Sequence, residues 1–467
     1  MAIDKITATG LGDGGVSTAD LADGAVTAAK LDAAAVTPAA VSDTPNTSTG
    51  GLTLPAGTTA QRPSSADTGE SRYNTTSGSL EFYDGTTWIS TNLIPSITSI
   101  TGNVYSTLAS NLVFAVTETT DKISIIFKEG STTIATLSDQ TVSSGSVTVA
   151  VPSAVYGQSV GDSIVITITN SDGTPSGNSI TKTVVALPTG GTITTTGNYR
   201  VHSFTSSGNL VVSTGFPTTS ISYAMSAGGG GGGGGRIDSS LGGAGGGGGG
   251  HLNGTTNIAG NTTYPIVIGA GGAGDPTNAT SAADNGSNTT GFSLTAIGGG
   301  GGGSRNGVEA GSAGGSGGGS TGTNTTSGGA GTSGQGNRGG NQTTADWGAT
   351  GGGGKGNPGA DASGMASTAG GSGTTVTLTG SSIVMSGGGG GGGSNVGSGG
   401  VVTPGTGNAS GGTGGTGNTA GTGGDAPINQ GGGGGGSMNG NVANVTVTRG
   451  GNGGSGRVII RYDVTAL

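Results

Sequence analysis

The chain has 467 residues, of which 112 are glycine, whereas charged residues make up 8% and aromatic residues 3%. Such a length suits about two to four domains. Cysteine is absent and only two histidines are present, which excludes disulfide frameworks and the common kinds of zinc site. The net charge of −9 argues against binding to a nucleic-acid backbone. No apolar stretch approaches the roughly 20 residues of a membrane helix.

Residues 1–45 contain a ten-residue repeat in which Val16, Val26 and Val36 share one phase and another apolar residue follows five positions later. This spacing fits neither an α-helix nor a heptad seam, so we predict extended steps wound together with parallel copies. An Ala-rich helix is the open alternative. The phrase DLADGAVTAAKL resembles the shaft repeats of phage tail fibres. The resemblance implies attachment to a tail baseplate or other tail protein and a homotrimer. The first fifteen residues contain no apolar run of signal-peptide length, so release by lysis as part of a virion is expected.

Residues 46–92 are predicted to form a linker followed by a small β module. The segment RYNTTSGSLEFYDG predicts a β-hairpin that turns at Thr76–Gly78, with another turn at Asp84-Gly85. The phrases AQRP, RYNT and LEFYDG, followed by a tryptophan, resemble a module common in phage tail fibres. We expect a small aromatic core formed by Tyr73, Phe82, Tyr83 and Trp88.

Residues 93–189 are predicted to form a β-sandwich. Six strand-like phrases with alternating apolar residues, from LVFAVTE to SITKTVVALP, are separated by turn residues at regular spacing. The opening PSITSITGN resembles the start of immunoglobulin-like domains of viral and bacterial surface proteins. The resemblance implies a spacer or a weak glycan binder. The phrase LPTGG at 187–191 marks the domain boundary.

Residues 190–467 combine strand-like phrases with glycine runs. Uninterrupted runs occupy 228–235, 245–250, 298–303, 351–354, 387–393 and 431–436. A flexible linker is the usual structure for such composition, but each apolar phrase here stands beside a glycine run, which indicates order. Collagen needs glycine at every third position and abundant proline, and neither is sustained. We therefore predict packed three-residue-per-turn polyglycine helices with flanking strands, in which one added side chain is costly.

The phrases YRVHSFTSSGNL, YPIVIGAGGAG, LTAIGGGGGG and GGSGRVIIRY carry a resemblance to the glycine-rich distal adhesins of T-even-type phages. The resemblance implies polyglycine helices packed in a sandwich, with variable loops at one end that touch the host receptor. The whole chain is then expected to be a mostly β, elongated, multidomain tail fibre. Its C-terminal loops would bind a bacterial surface glycan or an outer-membrane protein.

Exposed Trp and Arg side chains are the usual anchors of binding surfaces. On that basis, and on the abundance of Asn in the loops, we predict receptor-binding residues Arg236, Arg305, Asn306, Arg338, Asn341, Asp346 and Trp347. His202 is expected to be structural on a strand. A structural role is expected for His251 as well, and because it follows a glycine run, a tip position is the open alternative.

No catalytic, cofactor or metal site is predicted. The carboxylates of the glycine-rich half lie singly in Gly/Ser/Asn loops, without a strand to set the paired geometry of a glycosidase. No glycine run is followed by the Lys-Ser or Lys-Thr pair of a phosphate loop. Two alternatives to the adhesin stay open at this point: a structural fibre or extracellular filament, and a tailspike depolymerase.

Overall fold

The computed structural model describes residues 54–76, 78–90, 95–117, 122–170, 175–236, 242–322, 324–344, 348–393, 406–414, 421–438, 448–465 and 467. The chain divides into two compact units, Met1–Asn92 and Leu93–Leu467. Strands dominate both, as predicted, and the α-helical content of the described ranges is the four-residue α1 (Ser153–Tyr156). The predicted shaft repeat at 1–45 lies outside the described residues.

The first unit contains one sheet in the order β1-β2-β3-β4. Its strands are β1 (Ala56–Gly57), β2 (Ser71–Asn74), β3 (Ser79–Tyr83) and β4 (Trp88–Ser90). Strands β2 and β3 form the predicted antiparallel hairpin, and β4 pairs with β3 after the second predicted turn. Strand β1 joins β2 in parallel and leads into a short 3-10 helix, Thr59–Gln61.

The expected aromatic core is present only in part: Tyr83 and Trp88 are partly buried with ring centroids 5.6 Å apart, but the centre of the covered face is polar and the expectation is wrong for Tyr73 and Phe82. Glu81 is fully buried, and its carboxylate accepts hydrogen bonds from Arg62 at 2.6 Å and from Asn74 at 2.9 Å. Tyr73 and Phe82 lie on the opposite face and are 43% and 37% exposed. Strand alternation sorts residues into two faces, but it does not say which face the chain covers.

Residues 95–185 form two sheets around one apolar core. The strands are β5 (Ile97–Thr101), β6 (Val104–Tyr105), β7 (Asn111–Val116), β8 (Lys122–Glu129), β9 (Thr132–Thr141), β10 (Ser146–Ala150), β11 (Ser163–Asn170) and β12 (Ile180–Val185). One sheet has the order β10-β7-β5 and the other β6-β12-β11-β8-β9. Alternate residues point inward, so that Leu112, Phe114, Ile125 and Ile166 are fully buried. All six predicted strand segments are present.

The second half begins and ends in a five-stranded sheet. Its order is β13 (Thr192–Thr196), β14 (Tyr199–Phe204), β23 (Arg457–Asp463), β16 (Thr219–Ser226) and β17 (His251–Ile258). Strands β15 (Gly208–Val212) and β18 (Thr262–Ile266) pair beside it. Two hairpins follow in the chain: β19 (Thr289–Gly291) with β20 (Leu294–Ala296), and β21 (Thr374–Val376) with β22 (Ile383–Met385). Tyr105 and Val185 of the preceding sheets join the core of this half.

Between β16 and β23 the glycine-rich segments, which we call tracts, pack into a lattice. The amide of Gly229 donates to the carbonyl of Gly454 at 2.9 Å, and three residues later Gly232 donates to Gly451 at 2.8 Å. Gly230 and Gly233 show the same step toward a second neighbouring tract, 244–247. Hydrogen-bond partners that recur every third residue are the pattern expected of a three-residue-per-turn extended helix.

The tract 228–235 lies at the centre of the lattice. It donates hydrogen bonds to three antiparallel tracts and accepts them from three parallel ones. The donors and acceptors of these six neighbours lie within 244–247, 284–287, 451–454, 272–275, 299–302 and 434–437. A Cβ on Gly232 would lie 2.0 Å from the carbonyl oxygen of Gly435, so only glycine permits this approach.

At the edges of the lattice the tracts are not pure glycine. In the tract 269–276, Ala270, Ala273 and Pro276 are exposed, whereas Gly269 and Gly272 are buried. A helix with three residues per turn presents every third residue to the same side, so one side can face solvent and carry side chains. The expectation that tracts are pure therefore holds at the centre and fails at the edge. The mixed tracts include 283–288, 311–321, 336–343, 358–362, 368–373, 421–427 and 448–456.

Candidate binding surface

The tracts connect at two ends of the lattice. Tract 228–235 leaves strand β16, and tract 242–250 returns to strand β17, so residues 236 and 242 lie at the ends of these tracts that are far from the strands. Other turns meet there, because Asn278 donates its amide to Gly235 at 3.0 Å and Arg305 donates its amide to Gly234 at 2.9 Å. We call this region the loop end, and the opposite side the strand end. The loop end comprises the described residues 236, 276–282, 304–310, 324–327, 343–344 and 363–367.

Hydroxyl groups close the tracts at the loop end. The Ser304 hydroxyl accepts a hydrogen bond from the Gly234 amide at 3.0 Å and donates one to Asp275 at 2.7 Å. The Ser437 hydroxyl accepts from the Gly235 amide at 2.8 Å. Burial raises the pKa of Asp275, although its hydrogen bond from Ser304 opposes the shift. The backbone amides at the tips are therefore satisfied from within, which leaves the outward side chains of the turns available.

Three of the predicted receptor-binding residues lie at the loop end, and two of them are exposed. Arg236 is exposed, and so is Asn306, whose side-chain amide donates to the carbonyl of Asn278 at 3.2 Å. Arg305 is buried instead and forms an ion pair with Glu309 across the turn. Burial, with the nearby charge of Arg236, lowers the pKa of Arg305. Arg305 thus shapes the 304–310 turn and does not occupy the exposed position that we expected.

Arg338 and Asn341 belong to a clip along the edge of the lattice. The Arg338 guanidinium donates to both carboxylate oxygens of Asp361, at 2.6 and 2.9 Å. The Asn341 amide donates to the same carboxylate at 2.7 Å, and its side-chain oxygen accepts from the Gly328 amide at 2.9 Å. Arg338 lowers the pKa of Asp361, and Asp361 in turn raises that of Arg338. The side-chain oxygen of Asn341 therefore accepts the hydrogen bond that, inside the lattice, a backbone carbonyl of a neighbouring tract would accept.

The same clip occurs a second time. The sequence RGGN at 338–341 recurs at 449–452. Arg449 pairs with Asp425 at 3.1 Å, and the Asn452 amide donates to that carboxylate at 2.7 Å. The Asn452 side-chain oxygen accepts from the Gly274 amide at 3.1 Å, as Asn341 does from Gly328. The repetition of this four-residue phrase in the sequence indicates a structural role for Arg338 and Asn341. We missed this signal because we chose receptor-binding residues by their type alone. Asp346 and Trp347 lie outside the described residues.

Both histidines are buried near the strands. His202 lies on β14, and its Nδ1 contacts the Gly190 carbonyl at 2.8 Å, in agreement with the structural role expected for it. His251 is the buried first residue of β17 at the strand end, which agrees with the structural role expected for it and contradicts the alternative tip position. Burial lowers the pKa of each to about 4, so both imidazoles are neutral at physiological pH.

Comparison with known families places this architecture in a class. A family model described as a glycine-rich domain matches residues 205–463, more than half of the chain. The chain therefore belongs to this glycine-rich domain family, whose match spans β16, the lattice and β23. No curated protein matches the chain. In the described ranges no three His, Asp or Glu side chains converge as a metal site would require, and no helix has the length and apolarity to cross a membrane.

Proposed function

We propose that this protein is a bacteriophage tail-fibre adhesin whose loop end binds a receptor on the bacterial surface. One observation carries the proposal: the lattice is held by its own backbone, and one set of its turns, the loop end, lies away from the strands. At the loop end Ser304 and Arg305 serve the scaffold, whereas Arg236, Asn306 and Val308 are exposed. A recognition surface of this kind can change in sequence while the scaffold is retained, as loops on other rigid scaffolds do.

The loop end offers side chains of several kinds. Asn306 and Arg236 are polar and exposed, and Val308 and Met365 add exposed apolar groups that are about half accessible. Mixed apolar and polar surface of this kind is typical of protein-binding and glycan-binding patches. The receptor is a bacterial surface glycan or an outer-membrane protein. The N-terminal region would join the fibre to the tail baseplate or another tail protein, as a homotrimer in the virion.

The phrases that resemble phage adhesins support this proposal from the sequence side, and the family match supports only the glycine-rich domain on which the proposal rests. The buried Arg305 and the clip residues Arg338 and Asn341 have structural work within the lattice. We therefore assign direct receptor contact to Arg236 and Asn306, with Asp346 and Trp347 as the remaining candidates from the sequence.

The test is cell binding by the full-length chain. Fluorescently labelled protein is incubated with a panel of bacterial strains, and bound fluorescence is measured by flow cytometry. For a strain that binds, we expect the double variant Asn306→Ala/Val308→Ser to reduce binding about tenfold, since removal of an interface contact of roughly 1.4 kcal/mol has that effect.

The matched control is Val160→Ser, which changes an exposed apolar residue outside the loop end. It should bind cells as the parent does, and thermal unfolding should be unchanged in both variants. Loss of binding by the control alone would overturn the assignment to the loop end. Self-assembly into filaments without binding to any strain would favour the structural-fibre alternative, and release of oligosaccharides from bacterial polysaccharide would favour the depolymerase.

A further inference from the structure

A groove of about 550 Å³ opens at the strand end, between β17, β18 and the β19–β20 hairpin. Thr256 and Asn257 of β17 line one wall, and Tyr264 of β18 with Phe292 of the hairpin turn lines another. None of the lining residues carries a charge. Pockets of roughly 300–1,000 Å³ with apolar walls and a few polar groups are typical of small-molecule sites.

The two aromatic side chains of the groove form a connected cluster with Tyr223, which lines the neighbouring groove. The ring centroid of Phe292 lies 5.5 Å from that of Tyr264 and 6.2 Å from that of Tyr223. All three rings are partly buried against the apolar core, which leaves each an accessible part. The Tyr264 hydroxyl accepts a hydrogen bond from the Ala259 amide at 2.9 Å, so its ring is fixed at the groove.

The turn that carries Phe292 has an unusual composition. Phe292 and Ser293 are the two central residues between the paired Gly291 and Leu294, and their φ angles are 54° and 60°. Two-residue turns with positive φ at both positions strongly favour Asn-Gly, and a bulky residue there is strained. A turn needed for the hairpin alone is better served by glycine. Strain of this kind persists where the surroundings hold it and is concentrated at binding sites.

We infer that this groove binds an uncharged saccharide. The apolar face of a sugar ring would pack on Phe292 and Tyr264, and its hydroxyls would exchange hydrogen bonds with Thr256, whose side chain lies on the same face of β17 as the aromatic cluster. The absence of charge among the lining residues favours a neutral sugar over an acidic one, because an unpaired carboxylate would lose hydration without compensation. The groove volume suits one or two sugar rings. The site is separate from the loop end, and the inference does not depend on the receptor contact proposed there.

Saturation-transfer NMR on the full-length chain tests the inference, with glucose, galactose, mannose and N-acetylglucosamine as probes. We expect at least one sugar to bind with a dissociation constant on the order of 1 mM, as ligand-efficiency limits suggest for a ligand of this size. Thr256→Val should weaken binding about fivefold, because it removes one hydrogen-bonding hydroxyl and keeps the shape of the side chain. Phe292→Asn should weaken it about tenfold through loss of the ring, and Asn accepts positive φ more readily, so the turn is kept.

The matched control is Asn253→Ala. Asn253 is exposed on the same strand but lines the neighbouring groove beside β21. It should leave sugar binding unchanged, and so should the loop-end variant Asn306→Ala/Val308→Ser, which separates this site from the proposed receptor contact. Absence of saturation transfer from all four sugars would overturn the inference. Equal transfer in the parent, Thr256→Val and Phe292→Asn proteins would overturn it as well.

Discussion

The β-sandwich at 95–185 and the glycine lattice at 227–456 exclude water in opposite ways. In the sandwich, side chains such as Leu112, Phe114 and Ile166 fill the space between two sheets. In the lattice, the tract 228–235 is buried without any side chain, because neighbouring backbones occupy the space themselves. One region depends on the atoms that side chains supply, and the other depends on their absence.

This contrast separates two sources of stability. Burial of an aliphatic or aromatic side chain contributes roughly 1.5–3 kcal/mol in the sandwich. In the lattice each backbone hydrogen bond contributes a net of roughly 0.5–1.5 kcal/mol, and dozens of them must offset the large conformational entropy that glycine loses. The sandwich should therefore suffer most when atoms are removed, and the lattice when atoms are added.

The largest effect is expected for Gly232→Ala at the centre of the lattice. The added Cβ would lie 2.0 Å from the Gly435 carbonyl oxygen, a backbone atom that cannot rotate away. The neighbouring tract would have to shift and break its own hydrogen bonds, so we expect destabilisation by about 4 kcal/mol or more. Calorimetric unfolding and hydrogen exchange across 228–250 measure the loss.

The control for this prediction is Gly208→Ala on β15. A Cβ there meets only the Phe204 ring, at 3.7 Å, which is an ordinary contact. We expect stability to change by less than about 1 kcal/mol, with a slight gain possible through the unfolded chain. Similar losses for the two alanine variants would refute the claim that backbone contact, and not glycine content as such, determines the lattice.

The reverse change is expected to matter in the sandwich. Ile166 is fully buried on β11, and Ile166→Ala leaves a cavity that the surrounding strands fill only in part. We expect a loss of about 3 kcal/mol, within the range measured for buried aliphatic residues. Thermal unfolding of the full chain checks this value, with the exposed Val160→Ala as control. A loss below about 1 kcal/mol would show that the sandwich does not depend on its apolar interior.

The small sheet at 54–90 extends the comparison to a third kind of interior, built from ions. Burial raises the pKa of Glu81, but the hydrogen bonds from Arg62 and Asn74 outweigh it and lower the pKa below the usual 4.5. A depressed folded-state pKa stabilises the fold above the unfolded value, and this contribution is lost as the pH falls through the folded value. The sheet should therefore loosen below about pH 4.5.

Glu81→Gln should remove this pH dependence and destabilise the sheet by about 2 kcal/mol at pH 7. Loss of one partner from a buried ion pair is costly, and the partial exposure of Arg62 moderates it. Hydrogen exchange of residues 71–83 in the full chain, corrected for the intrinsic effect of pH, measures both the pH dependence and the loss of stability at pH 7. An unchanged pH response in the variant would assign the titration to another group.

Local sequence patterns were sufficient to predict the strands, but they did not predict how the strands pack. The alternation in β7 to β12 and the turn residues of the β2–β3 hairpin were enough to predict these strands, since both signals lie within a few residues. The same alternation placed Tyr73 and Phe82 on one face, but the choice of covered face depends on the 3-10 helix Thr59–Gln61 and on Arg62, elsewhere in the chain.

The lattice divides along the same line. The packing of pure runs such as 228–235 could be predicted from the sequence. All three sides of the central tract face backbone, so each of its positions must be glycine and the run is visible in the sequence. Mixed tracts such as 269–276 could not be predicted, because an alanine is tolerated only where its side of the helix faces solvent, and partners from remote segments decide that. For the candidate site, the expectation of variable loops at one end came from the resemblance to phage adhesins, and the described tracts connect at two ends. The buried position of Arg305 and the groove around Phe292 could not be predicted, as both depend on contacts distant in sequence.

The smallest effect is expected for the two clips at the lattice edge. Arg338 and Asp361 are each about 40% exposed, and exposed ion pairs contribute little. Arg338→Ala and Arg449→Ala should therefore each destabilise the protein by about 0.5 kcal/mol, and the double variant by about 1 kcal/mol, since distant sites add. Chemical denaturation measures all three, and Arg338→Lys serves as a control that keeps the charge but loses the two-point contact.

A loss above about 2 kcal/mol for a single clip would mean that the edge tracts rely on side chains as the sandwich does. The contrast between the two regions would then hold only for the glycine tracts at the centre.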